Sequence, residues 1–113
     1  MGKSQRIKGR RGEQEVVNYW KPLFPKAKRH LEFQDEEAEL GIDVEILKNF
    51  LECQVKIGGQ VPKTIYKYMG QMKPSKTNFQ FVQCKRDREE WLIIMRADDF
   101  KELMEVLKHN QII

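Results

Sequence analysis

With 113 residues and a mass of 13.5 kDa, the chain has the length of one domain of about 100–150 residues, so residues 1–113 are expected to share a single core behind a loose basic stretch at 1–8. Hydrophobic residues are 40% and charged residues 34% of the total, a balance that excludes a wholly disordered chain. Its longest apolar runs, about four residues as at Leu92–Met95, fall far short of the about 20 that span a membrane.

The N-terminal segment lacks the apolar stretch of a signal peptide, and a cytoplasmic protein is expected. Cys53 and Cys84 stand 31 positions apart with only His30 and His109 as further soft ligands. Zinc-site spacing is therefore missing, and two reduced thiols are expected. The net charge of +4 is unevenly laid out. Residues 1–12 carry Lys3, Arg6, Lys8, Arg10 and Arg11 without an acid, residues 32–52 hold eight acids against Lys48, and residues 53–88 hold eight Lys or Arg against Asp87. Basic flanks around an acidic middle suit a protein that grips a polyanion and concentrates carboxylates at one place.

Taken in chain order, Val16, Val17 and Trp20 fall on one face of a helix predicted over Arg10–Trp20 and closed by Pro22 and Pro25. A short strand is predicted over 28–34, followed by an acidic loop at Asp35–Glu39. From Gly41 to Leu47 and from Phe50 to Ile57, apolar and polar residues alternate with a period of two. A two-residue turn at Lys48-Asn49 would set Leu47 opposite Phe50, Glu45 opposite Glu52 and Asp43 opposite Gln54, with all the apolar alternates on one face. Gly58-Gly59 breaks the strand. Pro62 suits a helix start, and Ile65, Tyr68, Met69 and Met72 recur at helical spacing until Pro74. Strands are predicted at 78–84 and 90–96 around a charged turn at Lys85–Glu89, then a last helix marked by Phe100, Leu103, Met104 and Leu107 and capped by Asp98.

The chemistry concentrates on the polar face of the 41–57 hairpin. Asp43 and Glu52 lie there on a cross-strand diagonal, where side-chain origins are about 7–8 Å apart or somewhat less. Such a pair can hold one Mg²⁺, which takes hard oxygen ligands and keeps several waters, and for which Mn²⁺ would substitute. Glu45 is the next candidate ligand. Gln54 and Lys56 continue along the same face, the lysine able to polarise a phosphate oxygen or a bound water and the glutamine able to orient by hydrogen bonding. Glu13 falls within the apolar sector of the first helix, and a carboxylate on a buried face needs a cation or a hydrogen-bond donor.

The run Lys8-Gly9-Arg10-Arg11-Gly12-Glu13-Gln14-Glu15-Val16, then Gly41-Ile42-Asp43, then Leu51-Glu52-Cys53-Gln54-Val55-Lys56, resembles the PD-(D/E)XK nuclease superfamily, and within it the archaeal and phage Holliday-junction resolvases. The resemblance spans about residues 8–100. It implies an α/β (α+β) fold of the restriction-endonuclease type, ordered helix, three-stranded meander, helix, two strands and helix, around a central mixed sheet. It also implies Glu13, Asp43 and Glu52 as catalytic metal-binding acids, with the Cys53 carbonyl completing the metal shell. Gln54 stands where the family usually has its lysine, and Lys56, two residues on, is the candidate replacement. The expected activity is Mg²⁺-dependent cleavage of DNA, as a homodimer on branched DNA such as a four-way junction. Lys8, Arg10, Arg11, Lys63, Lys67, Lys73 and Lys76 are the expected phosphate contacts. Cleavage of other DNA structures, or a catalytically silent DNA-binding module of the same fold, are the alternatives. A small RNA-binding protein would leave the Asp43–Lys56 pattern without a purpose.

Overall fold

A computed structural model describes residues 3–30 and 41–113, with side chains from residue 9 onward. The elements are α1 (Lys3–Trp20), β1 (Lys28–Arg29), β2 (Val44–Leu47), β3 (Leu51–Cys53), α2 (Lys63–Gly70), β4 (Phe81–Cys84), β5 (Leu92–Met95) and α3 (Ala97–His109). Their order is the expected one, and the fold is a small α+β fold. The described strands form two separate antiparallel sheets, β1-β2-β3 and β4-β5, in place of the expected central mixed sheet. Antiparallel neighbours joined by short loops close at little entropic cost, whereas a parallel pair needs a long crossover. By its internal contacts the chain divides into two compact units, Met1–Val61 and Pro62–Ile113.

In the first unit α1 begins at Lys3, seven residues before the predicted start, so the backbone of the basic segment is helical from there. Strand β1 covers the first two residues of the predicted 28–34; its remainder and the acidic loop at 35–39 lie outside the described residues, except for His30. Strand β2 pairs with β3 in the register the alternation required, with Glu45 opposite Glu52 and Val44 opposite Cys53. Nearer the turn the register shifts and Leu47 meets Leu51, not Phe50. The shift follows from the turn itself, where Asn49 takes the left-handed backbone (φ 61°) and Phe50 donates its N–H to Leu47 C=O at 3.0 Å, drawing Phe50 into the loop.

The apolar face of this sheet packs against α1. Val44 is 0% exposed and Ile46 3%, and with Val17, Trp20, Phe24 and Ala27 they make the core of the unit. Trp20 and Phe24 lie with ring centroids 6.0 Å apart, held by the tight turn in which Phe24 donates its N–H to Trp20 C=O at 2.8 Å. Gly12 is buried, and a Cβ at this position would run into the Ile57 side chain, so the glycine lets α1 approach the chain just past β3.

In the second unit α2 runs from Lys63 to Gly70 with Pro62 just before it in extended backbone, and it stops four residues before Pro74. Strands β4 and β5 pair in continuous register from Phe81 opposite Met95 to Cys84 opposite Leu92. Helix α3 is preceded by Arg96, so Asp98 does not cap it. Asp98 and Asp99 instead lie in its first turn, where negative charge suits the helix dipole. The Arg96 guanidinium donates to Met69 C=O at 2.8 Å, which also accepts the Met72 N–H at 3.2 Å, and to Met72 C=O at 3.4 Å, tying the end of α2 and the residues after it to the start of α3. The buried apolar side chains of this unit are Met69 and Met104.

Candidate functional site

The polar face of β1-β2-β3 is built by alternation. With Val44 and Ile46 turned into the core, Glu45 must face outward, and the cross-strand pairing puts Glu52 directly beside it. Two like charges in that relation repel. Lys28 is paired with Glu45 across β1-β2, and its Nζ lies 3.8 Å from Glu45 Oε2, offsetting part of the repulsion and engaging Glu45. Glu52 is exposed.

Asp43 sits at the entrance to β2. Its N–H donates to Cys53 C=O at 2.9 Å, continuing the ladder, while its own Oδ2 accepts the N–H of Val55 at 2.8 Å. A side-chain carboxylate thus takes a strand donor, which holds Asp43 against the residues that follow β3. The Cys53 carbonyl, the expected backbone metal ligand, is already accepting the Asp43 N–H; its second lone pair is all that it can offer elsewhere. Burial first, and then the Asp43 carboxylate nearby, push the Cys53 thiol above its ordinary pKa, so it is a protonated thiol at neutral pH.

Gln54 and Lys56 are both exposed. They lie past the last residue of β3, so strand alternation no longer dictates which way Lys56 points. Gly41 adopts φ +73°, and the Gln54 amide nitrogen lies 3.6 Å from where a Cβ of residue 41 would stand. Only glycine takes that backbone readily, so the Gly41-Ile42-Asp43 turn leads into the site with Gln54 against it.

Glu13 is held elsewhere. Arg29, on the face of β1 opposite to Lys28, donates from Nε to Glu13 Oε1 at 3.1 Å, and its Nη2 lies at the same distance from that oxygen. Glu13 keeps 24% and Arg29 14% of side-chain exposure, so this is a charge-assisted pair at the edge of the core. The need for a counter-charge at Glu13 was legible in the sequence; Arg29 as its source was missed. The signal was an arginine alternate with Lys28 on a strand next to the helix.

Among the described residues, no three His, Cys, Asp or Glu side chains converge in a group that could hold a metal ion. Asp43 and Glu52 still supply the donor chemistry of a magnesium site, which needs one or two carboxylates and keeps water for the rest of its shell. Of the expected phosphate contacts, Arg10 and Arg11 are exposed on α1, and Lys63, Lys67, Lys73 and Lys76 are exposed in the second unit. The Lys8 side chain lies outside the described residues. Comparison with protein-family models, with curated proteins and with solved structures finds no match to this chain.

Proposed function

We propose that the chain is a metal-dependent DNA endonuclease of the PD-(D/E)XK type, acting on branched DNA such as a Holliday junction. The observation that supports the reading is the β2-β3 hairpin, whose register pairs Glu45 with Glu52 on the face away from the packed core, with Asp43 just before β2 accepting the Val55 N–H just past β3. Asp43 and Glu52 would hold Mg²⁺ or Mn²⁺ through hard carboxylate oxygens. When bound, the ion would supply an activated water and offset the charge of the phosphate under attack. Lys56 contributes a positive charge for the transition state, and Gln54 hydrogen bonds that orient phosphate or water. Arg10, Arg11, Lys63, Lys67, Lys73 and Lys76, with Lys8, hold the DNA backbone without reading its sequence. Symmetric cutting of a junction requires two sites, hence a homodimer; Phe79 and Phe81, 42% and 47% exposed, and α3 with Val106 at 45%, are the apolar surface it would use.

A silent DNA-binding module of the same fold is favoured by one observation: Glu13 is neutralised by Arg29, with glutamine at the position of the usual lysine. Incubating the protein with labelled four-way junction, flap and linear duplex, in Mg²⁺ and in EDTA, separates the two. Mg²⁺-dependent cuts, lost in Asp43→Asn and Glu52→Gln, support the nuclease. Tight binding to the same substrates without cleavage in any divalent ion would overturn it in favour of the module.

A further inference from the structure

We infer that the outward face of α2 is a stacking platform for an unpaired DNA base, with Tyr66 beneath the base and Lys63 and Lys67 on the flanking phosphates. The inference rests on the reading of the chain as a DNA-acting protein and narrows its substrate to DNA with single-stranded character.

At about 100° per residue, Tyr66 lies about 60° to one side of Lys63 and Lys67 about 40° to the other, so the three form one stripe of neighbouring side chains. Ile65 and Met69, which are half-buried and buried, lie about 100° and 60° from Tyr66 on the side away from the lysines. Tyr66 is 71% exposed, more than any other large apolar or aromatic side chain described. Its ring makes no aromatic contact and its hydroxyl no hydrogen bond among the described residues. Folding therefore gains little from a large flat ring held on a short helix beside two exposed lysines.

The surrounding charge selects the occupant. From Cys53 to Arg86 the chain has no Asp or Glu, and Lys73 and Lys76 follow α2 directly. A polyanion meets no like charge along this segment. Trp91 is another exposed aromatic beside a cation, 58% exposed with the Lys85 Nζ 5.4 Å from its ring centroid. It stands in a run where Asp87, Glu89 and Glu90 offset Lys85, Arg86 and Arg88, so no net positive charge favours phosphate there, and the lysine already occupies a face of its ring. Tyr66 has neither obstacle. A duplex hides its base faces in the stack, so a protruding tyrosine gains most from a base that is already unpaired.

The test is binding, measured by fluorescence anisotropy in EDTA so that cleavage plays no part, of a labelled single-stranded oligodeoxynucleotide, a blunt duplex of equal length and an RNA strand of the same sequence. Tyr66→Ala should weaken single-strand binding about 5- to 150-fold, the range of one lost base–aromatic stack. It should leave duplex binding within twofold, and Tyr66→Phe, which keeps the ring, should bind as the unchanged protein does. Lys63→Gln and Lys67→Gln should weaken both DNA forms and each reduce the salt dependence on single strands by about 0.7 in log–log slope. Unchanged single-strand affinity in Tyr66→Ala, equal losses on duplex, a loss in Tyr66→Phe as large as in Tyr66→Ala, or a tighter Tyr66-dependent complex with RNA would each overturn the inference. Cleavage by the unchanged protein in Mg²⁺, assayed alongside, tells this outcome from failure of the nuclease reading: Tyr66-dependent binding without cleavage sinks the nuclease alone, and cleavage without Tyr66-dependent binding sinks the platform alone.

Discussion

Residues Met1–Val61 and Pro62–Ile113 are of similar length and use their apolar residues in opposite ways. The first unit buries Val17, Trp20, Phe24, Ala27, Val44 and Ile46, and engages the carboxylates of Glu13 and Glu45 with Arg29 and Lys28 from a strand of two residues. The second buries Met69 and Met104 and leaves Trp91, Leu92 and Ile93 more than half exposed. A two-stranded sheet alone is marginal in water, and this one is supported by Arg96 and its contacts to the end of α2. The difference teaches where each kind of task can be placed. A rigid, packed hairpin can hold carboxylates in fixed register, while a lightly packed unit rich in exposed rings and lysines offers surface for partners.

The widest separation between the units should come from paired core deletions. Ile46→Ala should cost about 2–5 kcal/mol of stability by loss of transfer energy and creation of a cavity. Ile93→Ala, at a site 62% exposed, should change stability by no more than about 0.5 kcal/mol. Urea unfolding of both variants measures this. A large loss in Ile93→Ala would mean that the β4-β5 face is covered in solution, and the contrast between the units would collapse.

Next comes the acidic hairpin's chemistry. Lys56→Ala should slow single-turnover cleavage by about 10² or more with metal binding intact, the scale of a lost electrostatic or acid–base contact. Gln54→Ala should cost less, and Gln54→Lys should be tolerated or faster. If Lys56→Ala weakens DNA binding alone, with the chemical step untouched, the catalytic role would pass to Gln54 or the chain would be a binding module.

The two arginines sharpen the comparison at a smaller scale. Arg96→Ala should destabilise by about 1.5–3 kcal/mol through lost charge-assisted hydrogen bonds to the α2 carbonyls. Arg29→Ala should cost about 1–3 kcal/mol, mostly from leaving Glu13 without its donor, and Glu13→Gln should recover part of that. A double-mutant cycle on Glu13 and Arg29 with no coupling would remove the ion pair from the account. The smallest effect concerns Cys53. Its raised folded pKa means that, as pH rises through the ordinary thiol range, the unfolded chain loses this proton while the folded one keeps it, so stability falls with increasing pH there. Cys53→Ala should flatten that alkaline slope in thermal unfolding followed against pH, and iodoacetamide should react with Cys53 at higher pH than with a free thiol.

Much of the fold was legible because its signals are local. The period-two alternation at 41–57 fixed which residues face the core, and with the turn placed at Lys48-Asn49 it paired Glu45 with Glu52; a slip by one residue would turn Val44 and Ile46 to solvent. What failed to read was non-local or a matter of single backbone angles. Asn49 accepts a left-handed conformation, and this moved Phe50 out of the ladder; nothing in the alternation distinguishes that from a two-residue turn. Asp98 looked like a cap because its residue type is right, yet the chain enters the helix at Arg96, whose guanidinium is committed to α2. Lys3 to Gly9 carries too few apolar residues to announce a helix, and α1 extends through it.

The candidate site divides in the same way. By itself the amino-acid sequence determined the order of the elements, the polar face with Glu45 and Glu52 on it, and the acid-free, lysine-rich stretch beyond, because periodicity and charge pattern are properties of neighbouring residues. Only the tertiary structure decided that Glu13 is bound by Arg29, that Glu45 is engaged by Lys28, and that Asp43 reaches over to the Val55 N–H. Those pairings join residues 16, 17 and 12 positions apart. Which charge meets which at that separation depends on how sheet and helix pack, and packing satisfies each carboxylate with the nearest donor that the fold brings to it.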